Sequence, residues 1–155
     1  MSFVSVGKVV STHGIKGEIR IISSFPFKDK VFVVGNTLWI EDKAYTINSY
    51  RVHKHFDMVT FEGFTNINEV LFLLKKDVYF DRSKLPSSIV LDSELLDYEV
   101  LTSDGKKGII KEIFYASPTN KIVRIYTDRE ILVPFSFLEI HPDEKRVLVT
   151  LLEGM

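Results

Sequence analysis

The 155-residue chain has no cysteine, 5 prolines and a single tryptophan. Without cysteine there are no disulfides, thiolate metal ligands or cysteine nucleophiles, so the fold must rest on its own apolar core. No apolar run approaches the roughly 20 residues a helix needs to cross a bilayer. The start, Met1-Ser2-Phe3-Val4-Ser5, lacks the basic segment and apolar stretch of a secretory signal. A cytoplasmic location without membrane attachment is therefore expected. A net charge of −1 lacks the overall basic excess of many nucleic-acid-binding proteins. Neither a Walker A loop nor a dinucleotide fingerprint is visible, and no cofactor is expected. The histidines, His13, His53, His55 and His141, are scattered. His53 and His55 would share a face on a strand, but a zinc site needs three or four ligands.

What is present is β-forming sequence, with 45% hydrophobic and 12% aromatic residues, ample for a core. Residues 3–10, 18–22, 37–40, 45–52 and 58–61 are rich in β-branched and aromatic side chains, separated by short polar turns at Asn36, Glu41-Asp42-Lys43 and His53-Lys54-His55. One segment changes period. Ile67, Val70, Leu71 and Leu74 fall at helical spacing, with Asn66 and Glu69 spaced as a capping box, which predicts a short helix. The charged and then Pro/Ser-containing run from Asp81 to Ser88 has the composition of a linker. Further strands are predicted over 98–102, 108–115, 121–126, 130–133 and 146–151, with a hairpin signal at Ser103-Asp104-Gly105. The expected fold is mostly β: two small antiparallel β-barrels, over residues 1–85 and 98–155, joined by a linker and lead-in segment over 86–97.

The most informative stretch is Val6 to Arg20, where Gly14 and Gly17 sit between apolar runs and gather His13, Lys16, Glu18 and Arg20 at one turn. Glycine permits positive φ and close backbone approach, so this turn is a place for amides and cations to meet phosphates without reading sequence. The G-x-x-G spacing also matches the clamp of KH domains, but that clamp joins two helices and this one is flanked by strands. His13 and Glu18 form a conceivable acid/base pair, although no oxyanion device accompanies them. Charge is uneven along the chain. Residues 1–85 carry 12 Lys+Arg against 9 Asp+Glu, and residues 86–155 carry 8 against 12, so the two halves are +3 and −4. A basic half suits phosphate-rich surfaces, an acidic half suits basic proteins, and sums this small also suit ordinary solvated faces.

The run from Val6 to Ile21, with its His-Gly-Ile-Lys-Gly-Glu turn, resembles the opening of the RimM family of ribosome maturation factors. The likeness continues through Tyr50-Arg51-Val52-His53-Lys54, Met58 to Gly63, the Asn66–Leu74 segment and Val78 to Pro86. The second half resembles a PRC-barrel domain at Tyr98-Glu99-Val100, Asp104-Gly105, Gly108, Ile131 to Phe135, Val147-Leu148-Val149 and Leu152-Glu153-Gly154. The resemblance implies a non-enzymatic assembly chaperone, working as a monomer. It would bind the head of the immature small ribosomal subunit and promote processing of the 16S rRNA precursor. It would engage ribosomal protein nineteen through its C-terminal half. Carried onto these residues, rRNA or ribosome contact falls to His13, Gly14, Lys16, Gly17, Arg20, Arg51 and Lys54. Ribosomal-protein contact falls to Val90, Leu91, Leu95, Leu96, Pro134 and Phe135.

This chain departs from the family pattern in two places. Val90 and Leu91 stand where the family has an aromatic pair, followed by Glu94-Leu95-Leu96-Asp97, and Lys75 or Lys76 stands where a glycine often follows the short helix. Because architecture alone does not fix function, two alternatives stay open from sequence. One is a small flavin-type cofactor-binding barrel enzyme, and the other is a PRC-barrel adaptor of a different complex.

Overall fold

The computed structural model describes residues 2–155. They divide into two compact units, Met1–Pro86 and Ser87–Met155.

The first unit contains β1 (Phe3–His13), β2 (Glu18–Ile22), a one-turn helix α1 (Lys28–Val31), β3 (Thr37–Ile40), β4 (Lys43–His53), β5 (Phe56–Phe61) and β6 (Asp77–Asp81). Its strands close into an antiparallel barrel in the order β1-β2-β5-β4-β3-β6. Alternation decides what fills it. Ile19 and Ile21 of β2, Leu38 and Ile40 of β3 and Val78 and Phe80 of β6 point inward, while Arg20, Trp39 and Tyr79 between them face out. Bulges interrupt the register of β1 between Ser5 and Gly7 and between Val9 and Ser11, and its two halves pair with different partners, β6 and β2.

The segment expected to be a helix over Asn66–Leu74 instead forms two successive 3-10 turns, Ile67–Glu69 and Leu71–Leu73. The capping box is present: the Asn66 side chain accepts from the Asn68 amide at 3.0 Å, and Glu69 accepts from the Asn66 amide at 3.2 Å. Val70 and Leu73 are buried in the barrel core and Leu74 is packed against it. The tighter 3-10 winding changes which residues face inward: Leu71, in the helical pattern, is 44% exposed, and Leu73, outside it, is buried. Lys75 follows at φ 68°, so the left-handed conformation suited to glycine is kept by a lysine. Near one end of the barrel, buried Asp57 accepts from the Tyr50 hydroxyl at 2.6 Å, and its second oxygen faces Lys28 Nζ at 2.9 Å in an ion pair outside hydrogen-bond geometry. Burial and the neighbouring carboxylate push the Tyr50 hydroxyl well above its usual range.

The second unit contains α2 (Asp92–Leu95), β7 (Glu99–Thr102), β8 (Lys107–Ser117), β9 (Asn120–Tyr126), β10 (Glu130–Pro134), β11 (Leu138–His141) and β12 (Arg146–Val149). The sheet order is β10-β9-β8-β7-β12-β11. Two features refine the expectation of a second antiparallel barrel. β12 pairs with β7 in parallel, and the edge strands β10 and β11 are not neighbours in the ladder. Those two strands are joined only by the 3-10 turn Phe135–Phe137, so the sheet must curl to bring both edges to that corner. β11 carried no strand signal of its own because it runs on from Phe135-Ser136-Phe137 without a polar break.

Much of residues 86–97 belongs to the second unit: Leu95 is fully buried in its core with Tyr98, Val100 and Val123, Leu91 is buried, and Val90 packs against the cluster. Leu95→Ala is expected to destabilise the second unit by about 2–5 kcal/mol, whereas Leu96→Ala, at a site 44% exposed, should change it by about 0.5 kcal/mol or less. Hydrogen exchange of the β9 and β12 amides measures both. Equal effects of the two substitutions would contradict the packing described here.

Candidate functional site

The loop Gly14–Gly17 between β1 and β2 turns on two left-handed glycines, at φ 67° and 87°. Space around Gly14 is open, so its dihedral alone requires glycine there. Gly17 is required twice, because a Cβ at that position would sit 3.2 Å from the Asn66 carbonyl oxygen. The Ile67 amide donates to the Ile15 carbonyl at 3.0 Å, and this bond docks the loop onto the capped 3-10 turn. Lys16 is exposed on a loop held from behind.

Inward burial of Ile19 turns Glu18 and Arg20 outward beside β5 and β4. Arg51 of β4 reaches across β5 to Glu18 of β2 with both ends of its fork, Nε at 2.9 Å and Nη2 at 2.7 Å. Hydrogen bonding from Arg51 holds the Glu18 carboxyl below its usual range. Arg20 donates to the Thr12 carbonyl at 3.0 Å, to Ser11 Oγ at 3.3 Å and to His13 Nδ1. A guanidinium has no acceptor, so His13 Nδ1 must be the unprotonated nitrogen and its proton sits on Nε2. The His53 ring lies 5.6 Å from that of His13. Desolvation, and then the charges of neighbouring cations, Arg51 first, depress the pKa of His53. Met58 is completely buried yet outside the core cluster, and the ladder seats it opposite both Arg20 and Arg51.

The first barrel thus brings His13, Gly14, Lys16, Gly17, Arg20 and Arg51 to one side, with Lys54 on the β4–β5 turn next to His53. A cleft of about 460 Å³ opens there, lined by His13, Lys16, Glu18 and Thr60 among others. The conceivable His13–Glu18 acid/base pair is not assembled: the residues are cross-strand partners, but arginine engages each one instead. His53 and His55 do not share a strand face, because β4 ends at His53 and Lys54 turns the chain at φ 57°. Among the described residues no group of three or more His, Asp or Glu could hold a metal ion. What the arrangement offers is a row of fixed cations and one neutralised carboxylate.

In the second unit the six predicted contact residues separate. Leu91 and Leu95 are core residues and Val90 is half-buried against them, so packing accounts for all three; Leu96 is exposed and Pro134 and Phe135 are half-buried. Sequence reasoning missed Lys121, which pairs with Asp92 of α2 at 2.9 Å and rests 3.8 Å over the Phe135 ring. Nothing in the local pattern singles out this lysine, because these two partners come from separate elements, α2 and the 3-10 turn Phe135–Phe137.

Two outcomes follow from this geometry. Gly17→Ala should cost about 2 kcal/mol or more, and Gly14→Ala about 1 kcal/mol, in urea unfolding of the first unit; equal costs would contradict the Asn66 approach. Because the folded-state pKa of Glu18 is depressed, the stability from its pair with Arg51 is present above the ordinary value of 4.5 and lost as pH falls through the lower folded value. The stability gap between wild type and Glu18→Gln should therefore shrink below that pH. A gap independent of pH would contradict the pairing.

Comparison with known proteins bears on the whole chain. Residues 4–85 match the family model described as the RimM N-terminal domain. The ribosome maturation factor RimM of Bacillus thuringiensis strain Al Hakam is 32% identical over 168 residues, covering 97% of this chain and 96% of that protein. The protein of the same name from Ligilactobacillus salivarius is 33% identical over 167 residues, covering 100% and 99%. A crystal structure from Pseudomonas aeruginosa, described as a 16S ribosomal RNA processing protein RimM, aligns with a TM-score of 0.48 at 20% identity, covering 99% of this chain and 100% of that one. With a family model matching more than half its length and relatives aligned end to end, this chain belongs to the RimM family of ribosome maturation factors.

Proposed function

We propose that this protein is a cytoplasmic assembly chaperone for the small ribosomal subunit, binding the head of the immature particle and promoting 16S rRNA processing without chemistry of its own. The observation that carries this reading is the near-complete alignment with ribosome maturation factors at about one-third identity. The first barrel supplies the chemistry for an RNA contact. Lys16, Arg20, Arg51 and Lys54 lie around a rigid loop, and the one carboxylate among them is neutralised by Arg51. Cations fixed in this way touch phosphates and position a protein on RNA, but they do not read bases.

Not all four cations are equivalent. Arg20 and Arg51 are committed to intramolecular bonds that shape the face, while Lys16 and Lys54 are exposed. The second unit, with its acidic excess, suits a basic partner, for which we propose ribosomal protein nineteen; the exposure of Leu96 and the partial exposure of Pro134 and Phe135 support their part in that contact. A helper that leaves when assembly is complete must bind the immature state more tightly than the mature one, and that differential affinity is what shifts the assembly equilibrium.

The reading is tested with Lys16→Glu/Lys54→Glu in full-length protein binding purified precursor subunits across a salt series. Affinity should fall, and the slope of log affinity against log salt should flatten by about 1 or more, while the unfolding midpoint stays unchanged. Unchanged affinity and slope would reject an RNA contact at this face.

A further inference from the structure

The first barrel carries a second feature, away from the glycine loop. β6 pairs with β3 at a single position, Trp39 opposite Tyr79. Phe3 of β1 adds a third ring, its centroid 5.3 Å from that of Trp39. These rings face out: Tyr79 is 37% and Phe3 41% exposed. Between them lies a cavity of about 250 Å³, which Glu41 and Asp42 also line.

A cross-strand aromatic pair would be explained by stabilising the barrel's shortest seam. That role requires neither the cavity nor its rim. The β3–β4 hairpin turns on Glu41 at φ 49° and Asp42 at φ 63°, a two-residue turn whose backbone favours Asn-Gly. Two acidic side chains are kept there in the left-handed region despite the strain. One cation already sits at this rim, because Lys76 forms an ion pair with Glu41.

We propose that the Phe3–Trp39–Tyr79 cleft, rimmed by Glu41 and Asp42, binds an arginine or lysine side chain of a basic polypeptide segment. The cavity is smaller than the roughly 300–1,000 Å³ of small-molecule sites, so it fits one long side chain rather than a cofactor. Aromatic faces attract guanidinium and ammonium groups, and carboxylates add to that attraction. Phosphates would be repelled by the same carboxylates, which disfavours RNA at this position. The inference does not rest on the ribosomal role, and its test uses no ribosomal particle.

Trp39 is the only tryptophan in the chain, so its emission reports on the cleft in the intact protein. The probes are a capped peptide containing two arginines, the same peptide with citrulline in place of arginine, and a short oligouridylate. The arginine peptide should change Trp39 emission saturably, while the other two leave it unchanged. Glu41→Gln/Asp42→Asn should weaken the arginine peptide about fivefold to tenfold. Lys76→Met, which frees Glu41 from its internal partner, should tighten it, a gain that misfolding does not produce. No saturable change, an equal response to citrulline, a response to oligouridylate that the arginine peptide does not displace, or no dependence on Glu41, Asp42 and Lys76 would each overturn the proposal.

Discussion

Ile19 and Ile21 lie fully buried inside the first barrel, and successive side chains on a strand point to opposite sides, so Glu18 and Arg20 have no choice but to face out. Because β5 and β4 follow β2 around the barrel, Arg51 comes within reach of Glu18 and His53 within reach of His13. Filling the interior thus fixes the charge on the exterior. The loop Gly14–Gly17 adds a further cation, Lys16, and its turn depends on Gly17, whose φ of 87° and close approach to Asn66 both disfavour a side chain.

The same logic assigns different work to residues that look alike in sequence. Arg51 and Lys54 are both exposed cations of one hairpin, but Arg51 spends its fork on Glu18 while Lys54 stays outside that pair. Leu95 and Leu96 are adjacent, yet one closes the second core and the other is exposed. Binding by such a protein rests on groups left over after folding has used what it needs.

Much of the fold was legible because its signals are local. Strands β2 and β3 have the boundaries their β-branched residues indicate, and Gly105, expected in a hairpin, has φ 84°. The short helical segment lies where the spacing of Ile67, Val70, Leu71 and Leu74 predicts it, but it winds as 3-10 turns, which buries Leu73 in place of Leu71. Within the lead-in segment over 86–97, the burial of Leu95 was not legible, because the core that claims it is assembled from distant strands. The parallel pairing of β12 with β7 is equally non-local. At the candidate site, the glycine turn and its cations were visible in sequence. The exchange of partners, Arg20 to His13 and Arg51 to Glu18, was not, because it depends on which strands become neighbours.

The proposed role is that this chain grips a ribosomal precursor and turns over no substrate. It is tested most directly by sucrose-gradient sedimentation of the tagged full-length protein in cell extract, with identification of the RNA in each fraction. The account predicts co-migration with small-subunit particles that carry unprocessed 16S rRNA and little association with mature subunits. Migration as free protein at every magnesium and salt concentration, or equal association with mature subunits, would contradict it.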